Sequence, residues 1–236
     1  MTSSDDDGLF RPDREFFLAS SLEVAPRLLG AVLRHETPEG AVAVRITEVE
    51  AYVGDGVDPG SHAFRGRTRR NAAMYGEPGH LYAYFTYGMH VCANVVCSPE
   101  GVATAVLLRA GEVIEGAELA RARRSARGRG ADDPSASDVP ARVVQARVVP
   151  ARVVPARDLA RGPARLVVAT GIRLEQNGAD LLASPFSLRL PRIPAAFEAG
   201  PRTGVSGAGG GESFPWRFTL PGDTTVSPYK RHPKSH

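Results

Sequence analysis

The sequence predicts a globular chain that mixes strands with a few helices, and three observations predict it. With 236 residues, 42% of them hydrophobic and 23% charged, the chain can bury a real core and is neither fibrous nor wholly disordered. Short apolar or alternating runs recur at 31–36, 41–53, 81–87, 93–97 and 104–109, the length and pattern of strands. Helical spacing appears in only three stretches, 21–29, 111–127 and 163–171.

Each element has a local reason. Residues 1–9 carry Asp5, Asp6 and Asp7 and read as an acidic, flexible tail. Leu22, Ala25, Leu28 and Leu29 lie on one helical face, stopped by Gly30. Thr37-Pro38-Glu39-Gly40 joins the first two strands as a hairpin turn. Residues 54–80 are rich in Gly, Pro, Asp and Arg and form a long loop, a length usually reserved for function or disorder. From Gly111 to Arg127, glutamates precede arginines, an order that suits a helix dipole, and Gly128 can cap its end.

Between about 128 and 160, Ala-Arg-Val-Val recurs every five residues at 141, 146 and 151, interleaved with Pro140, Pro150 and Pro155. Recurrent proline defeats a helix or a central strand, so this reads as a basic low-complexity insertion. Gly162-Pro163 starts the next helix and Gly171 ends it. Two or three short strands follow within 180–220, and residues 228–236 form a loose basic tail. The expectation is therefore one domain over 10–227, interrupted once.

Charge and cysteine content narrow the partners. The formal net charge is only +3, too mild to establish a nucleic-acid partner. Only Lys230 and Lys234 are lysines, and every other cation among the 29 is an arginine. Arginine forks phosphate and stacks on bases, which permits such a partner, though a coding bias gives the same usage. Cys92 and Cys97 cannot build a disulfide framework or a four-cysteine zinc site. Three aspartates stand where a secretion signal would be basic and then apolar. The longest uncharged stretch, 78–99, contains Thr86, Gly88, His90 and Asn94 and is a poor membrane span. A soluble protein of a reducing, intracellular compartment is expected, with no membrane partner.

The chemistry-bearing residues concentrate in two strands and one loop. Alternation puts Glu48, Glu50 and Tyr52 on one strand face, an acidic and aromatic set unlike a core. The loop that follows carries His62 and then Arg65, Arg67, Arg69 and Arg70, suited to a phosphate-binding rim. The next strand carries Tyr82, Tyr84 and Tyr87, half of the six tyrosines, before Gly88 and Met89. Carboxylate, aromatic rings, histidine and an arginine loop together are what is needed to handle one nucleotide outside its helix. No zinc-deaminase signature and no Walker phosphate loop is present, so no cofactor is expected. Two rivals remain at this point: a nucleic-acid binder without catalysis, and a sugar glycosidase using Glu48 and Glu50. The second is weak, because residues two apart on a strand lie ~6–7 Å apart on the same side of a substrate, whereas that mechanism needs carboxylates flanking the bond.

The blocks TEVEAYVGDGVDPGSHAFRG (47–66), RTRRN (67–71), PGHLYAYFTYGMHVCANVV (78–96) and AVLLRAGEVIEG (105–116) closely resemble the 3-methyladenine (alkyladenine) DNA glycosylase family. Weaker matches stand at LLG (28–30), GPARL (162–166), PRTGV (201–205) and PWRF (215–218). The resemblance implies a single compact α+β domain. Its sheet would be mixed and largely antiparallel, like the C-terminal domain of methionyl-tRNA formyltransferase. It also implies a monofunctional enzyme of base excision repair that flips damaged purines out of double-stranded DNA and cleaves the glycosidic bond with water.

Carried over residue by residue, Glu50 is the catalytic base, while Tyr52, His62 and Tyr84 grip the flipped base. Asn94 lies on the pocket floor and disfavours an exocyclic amine. Arg109 positions the water or the nucleotide's phosphate, and Tyr87, assisted by Met89, intercalates. Glu48 is supporting. A monomer is expected. Arg69 stands where the family often has proline, and the 128–160 insertion matches nothing in it.

Overall fold

A computed structural model describes residues 8–86, 90–130 and 154–236. Among these, ten strands and three α-helices occur. The strands are β1 (Leu9–Phe10), β2 (Val32–Thr37), β3 (Gly40–Val53), β4 (Leu81–Thr86), β5 (His90–Cys97), β6 (Thr104–Glu115), β7 (Ala160–Arg161), β8 (Phe186–Pro191), β9 (Glu198–Gly200) and β10 (Arg217–Thr219). The helices are α1 (Ser21–Arg27), α2 (Ala117–Gly130) and α3 (Pro163–Thr170). The main path of the sheet runs β1-β8-β2-β3-β6-β5-β4, with β10 and then β9 beside β3, and β7 beside β6. Every ladder between these strands is antiparallel, and helices and strands are segregated, so the domain is α+β.

The hairpin turn falls at Pro38-Glu39, where the sequence put it, and Thr37 pairs with Gly40. Ser20 caps α1 through the Ser-x-x-Glu box with Glu23. Pro163 opens α3, and Gly171 closes it in the left-handed conformation, φ 74°.

Alternation divides the sheet into two faces. Val49 and Ala51 of β3, Leu81 and Ala83 of β4, Ala93 and Val95 of β5, and Val106 and Leu108 of β6 share the main core with α1 and α3. The opposite face carries Tyr82, Val96 and Ala105, with Tyr52 and Tyr84 packed on them. In β3 the phase changes midway. Val42, Val44 and Ile46 face the main core, and so do Val49 and Ala51. The switch occurs at irregularities in the β3–β6 register between Ile46 and Val49, where Thr47 and Arg109 are the extra residues on their strands. A one-residue slip moves every later side chain to the other face. Glu48, Glu50 and Tyr52 are thereby turned away from the helices.

Three expectations need correction. The helix expected over 111–127 starts only at Ala117, because β6 continues through Glu115. The glutamates read as a helix dipole pair across the sheet instead: Arg45 with Glu112 at 2.9 Å and Arg34 with Glu115 at 3.0 Å. Gly111 admits this course, since a side chain there would collide with Val44 and the Arg45 carbonyl. At the far end of the insertion, structure begins at 154, before Gly162. A 3-10 turn spans Ala156–Asp158, and β7 pairs with Ala110 and Gly111. Leu9, assigned to the flexible tail, pairs with Pro191. The Ala-Arg-Val-Val repeats and residues 1–7 lie outside the described residues.

Residues 228–236, expected as a loose tail, are a fourth correction: they brace the segment 201–211. Gly204 N–H donates to the Lys230 carbonyl at 2.9 Å, and the Ser235 hydroxyl donates to the Val205 carbonyl at 2.7 Å.

Candidate active site

Glu50 and Glu48 are both fully buried, although each is a charged residue on the sheet face away from the main core. Such burial demands partners. Glu50 Oε1 accepts the Thr203 N–H at 2.7 Å. Its Oε2 accepts the Tyr52 hydroxyl at 2.8 Å and Arg109 Nη1 at 3.2 Å. Glu48 accepts Arg109 Nε at 2.8 Å, Arg217 Nε at 2.7 Å, the Ser227 N–H at 2.7 Å and the Ser227 hydroxyl at 3.0 Å.

Burial alone raises the Glu48 pKa, but Arg109 and Arg217 outweigh it and hold the carboxyl below its usual value. Burial likewise works against the charge of Arg109, and Glu50 with Glu48 more than restores it. Burial and the neighbouring Glu50 push the Tyr52 phenol well above its ordinary value, so it stays a hydroxyl that donates.

Three partners of Glu50, namely Tyr52, Arg109 and Thr203, also line a cavity of ≈ 290 Å³. His62, Tyr84 and Asn94 complete the part of its wall that the sequence singled out. His62 stands edge-on to Tyr84, with ring centroids 4.5 Å apart, and its Nδ1 lies 3.1 Å from the Tyr82 hydroxyl. Burial, and then the Arg70 charge, lowers the His62 pKa, which favours the neutral imidazole. Burial raises the Tyr82 phenol to about 12. Asn94 donates to the Tyr82 carbonyl at 2.9 Å, which fixes its amide against the wall. Arg109 lines the cavity and is tied to both carboxylates.

The arginine loop is held in place by Asn71, whose amide donates to the carbonyls of His62 and Gly66. Arg65, Arg67, Arg69 and Arg70 are all exposed. Arg70 donates to the Phe85 carbonyl at 3.0 Å, and Arg67 lies over the Tyr75 ring at 5.8 Å. Tyr87 and Met89 lie outside the described residues.

Sequence reasoning missed Asp58 and Arg202. Both are fully buried, and Arg202 forks Asp58 with two bonds of 2.6 Å. The guanidinium sits 4.4 Å from the centre of the Tyr52 ring and 5.2 Å from Trp216. Asp58 also accepts the Gly60 N–H at 2.8 Å. This pair therefore clamps the His62 loop to the Thr203 segment behind Tyr52. Thr203 and Arg217 were missed too, as partners of the carboxylates. The signal was present in the PRTGV and PWRF blocks, which carry Arg202, Thr203 and Arg217, and in the DPG that opens the turn before His62.

A buried carboxylate held by the wall residues of an aromatic pocket fits what the resembling blocks implied, and comparison with known proteins decides the family. The model of the methylpurine-DNA glycosylase family matches residues 15–224. The chain belongs to that family. Relatives agree in length and order. A protein of Leifsonia xyli is 66% identical over 234 residues, covering 99% of each chain. One from Streptomyces avermitilis is 50% identical over 225 residues, 93% of this chain and 92% of its own. One from Burkholderia cenocepacia is 42% identical over 218 residues, 91% and 89%. All three carry the name "Putative 3-methyladenine DNA glycosylase". Membership of the methylpurine-DNA glycosylase family makes this chain an enzyme of DNA repair that acts on the N-glycosyl bond. Among the described residues, no helix is long and apolar enough to cross a membrane.

Proposed function

We propose that the chain excises alkylated or deaminated purines from duplex DNA. The damaged nucleotide is flipped into the Tyr52–His62–Tyr84 pocket, and its glycosidic bond is hydrolysed by a water that Glu50 activates. The single observation that carries this is the placement of Glu50. It is fully buried, yet three of the groups that hold it are walls of the pocket.

The water oxygen forms the new bond to the sugar carbon as the carbon–nitrogen bond breaks. The bonding pair leaves with the base, and one water proton passes to Glu50. The transition state is cationic at the sugar, so the carboxylate both takes the proton and stabilises the charge. Purines alkylated at N3 or N7 are cationic and leave as neutral bases, so one carboxylate suffices for them; a neutral base such as hypoxanthine leaves as an anion and must also take up a proton. Glu48 is unsuited to be a second one, since its two oxygens already accept four donors.

Stacking on the pocket rings contributes ~1–3 kcal/mol per ring and offsets the cost of unstacking the base. Tyr87, with Met89, fills the gap left in the duplex. Arg65, Arg67, Arg69 and Arg70 face the backbone, and Asn94 disfavours an exocyclic amine. The working unit is a monomeric domain that includes Leu9 and the C-terminal residues through Ser235, in the intracellular compartment. Its sheet is of the kind found in the C-terminal domain of methionyl-tRNA formyltransferase.

A binding module without catalysis is disfavoured by Glu50, because an anion held at the wall of a DNA site weakens binding unless it does chemistry. Incubation with a duplex carrying one hypoxanthine or ethenoadenine separates the two. Strand breakage only after alkali is the expected result. A shifted but uncleaved duplex means a binder, and breakage without alkali means a lyase step.

A further inference from the structure

We propose that Glu48 and Arg217 form a charge balance that sets the basicity of Glu50, which makes Glu48 a positioning residue of the excision reaction and Arg217 its counterweight. The proposal rests on the reading of Glu50 as the base.

The geometry divides the guanidinium groups unevenly. Arg109 gives its shorter bond, 2.8 Å, to Glu48 and its longer one, 3.2 Å, to Glu50. Arg217 stands opposite Glu50 in the β3–β10 ladder, but its guanidinium turns to Glu48 at 2.7 Å. A third anchor holds Glu48 in place, since Ser227 donates to it from both its N–H and its hydroxyl. Glu48 thus holds Arg217 to itself and shares Arg109 with Glu50. Beyond that shared guanidinium, the donors to Glu50 are neutral: the Thr203 N–H and the Tyr52 hydroxyl.

Among the described residues, the charged and titratable groups that face Glu50 fit this division. Arg109 comes from β6 and Arg217 from β10, and both also bind Glu48. Arg202 reaches Glu50 electrostatically, but its fork is committed to Asp58. Tyr52, Tyr84 and Cys92 are the remaining groups, and burial raises the pKa of all three, so they stay neutral.

The sign of each change follows. Without the Glu48 charge, Arg109 and Arg217 have Glu50 as their one nearby anion. Its carboxylate is then stabilised, and it becomes a weaker base for water. Without Arg217, the Glu48 charge is less compensated, and Glu50 becomes a stronger base. Removing both charges returns the balance.

The test is the pH dependence of single-turnover excision of hypoxanthine, a neutral base, from duplex DNA at low salt. Wild type is compared with E48Q, R217Q and E48Q/R217Q. In E48Q the acid limb of the profile should move down by about one pH unit, and the plateau should fall by up to about tenfold. In R217Q the limb should move up by a similar amount. In the double variant it should return close to the wild-type position. A residue that only holds the fold together would not produce opposite shifts that cancel.

Unmoved limbs, or shifts in one direction in both single variants, overturn the proposal. If E48Q does not fold because it strands two buried guanidinium groups, R217Q and the double variant still decide, by an upward shift and its reversal. An E50Q control separates the two levels of the account. Active E50Q removes the general-base reading itself, whereas inactive E50Q with unmoved limbs removes only the charge balance.

Discussion

Tyr52 does two jobs at once. Its ring walls the pocket, and its hydroxyl donates to Glu50 at 2.8 Å. Tyr52→Phe keeps the ring and removes the bond that orients the carboxylate, so lesion binding should hold while excision slows about tenfold through misplacement of the base rather than through its basicity. A gel-shift titration beside single-turnover excision checks it, and equal loss in both would mean that the hydroxyl serves recognition. Behind that ring, Asp58 and Arg202 are a fully buried ion pair. Asp58→Asn leaves the guanidinium uncompensated and should cost about 3–5 kcal/mol of stability. Urea denaturation measures this, and a change under about 1 kcal/mol would mean that the clamp is dispensable. Period-two alternation made Glu50 and Tyr52 legible as one face from the sequence. The same rule cannot reveal Arg202 or Arg217, because a partner more than 140 residues away is set by tertiary pairing, which strand alternation does not record.

Among the elements, β3 and β6 decide where the chemistry points. The register irregularities near Thr47 and Arg109 turn Glu48, Glu50 and Tyr52 away from the helices and bring Arg109 to meet both carboxylates. Strand positions were legible because apolar runs are a local signal, whereas a bulge is not. The same strand exposed the error over 111–127. Glutamate followed by arginine suits a helix dipole, but cross-strand pairing of Glu112 with Arg45 and Glu115 with Arg34 satisfies the same charges in a strand. Gly116 ends β6 and opens the turn into α2 at φ +72°, where an added Cβ would collide with the Ala41 carbonyl. Gly116→Ala should therefore destabilise by about 2–3 kcal/mol, through backbone strain and the collision together. A drop in melting temperature of roughly 5 °C or more is expected on thermal unfolding. An unchanged melting temperature would show that the strand-to-helix junction adapts.

The whole molecule joins an aromatic pocket to an arginine-rich loop. The repeats between 131 and 153 add Arg142, Arg147 and Arg152 to a chain whose net charge is only +3. Replacing 131–153 by a short Gly-Ser linker should leave pocket chemistry intact at saturating enzyme. It should also make the salt dependence of DNA binding shallower, by ~0.9 in log–log slope for each DNA phosphate that the protein no longer neutralises. An unchanged slope would place those arginines away from DNA. The fold class and the pocket residues were legible because the resembling blocks concentrate them in 47–116. The brace from the C-terminal tail was not, because Ser235 meets the Val205 backbone through a bond that no motif marks. Whether Glu50 is the base is decided by single-turnover excision with Glu50→Gln beside a gel-shift titration on one lesion duplex. Glutamine keeps the shape but can neither take the water proton nor face the cationic sugar with a charge. Excision should fall by ~10²–10⁴-fold or more, with lesion affinity unchanged or slightly tighter. Excision near the wild-type rate, or Glu48→Gln as the inactive variant instead, would contradict the account.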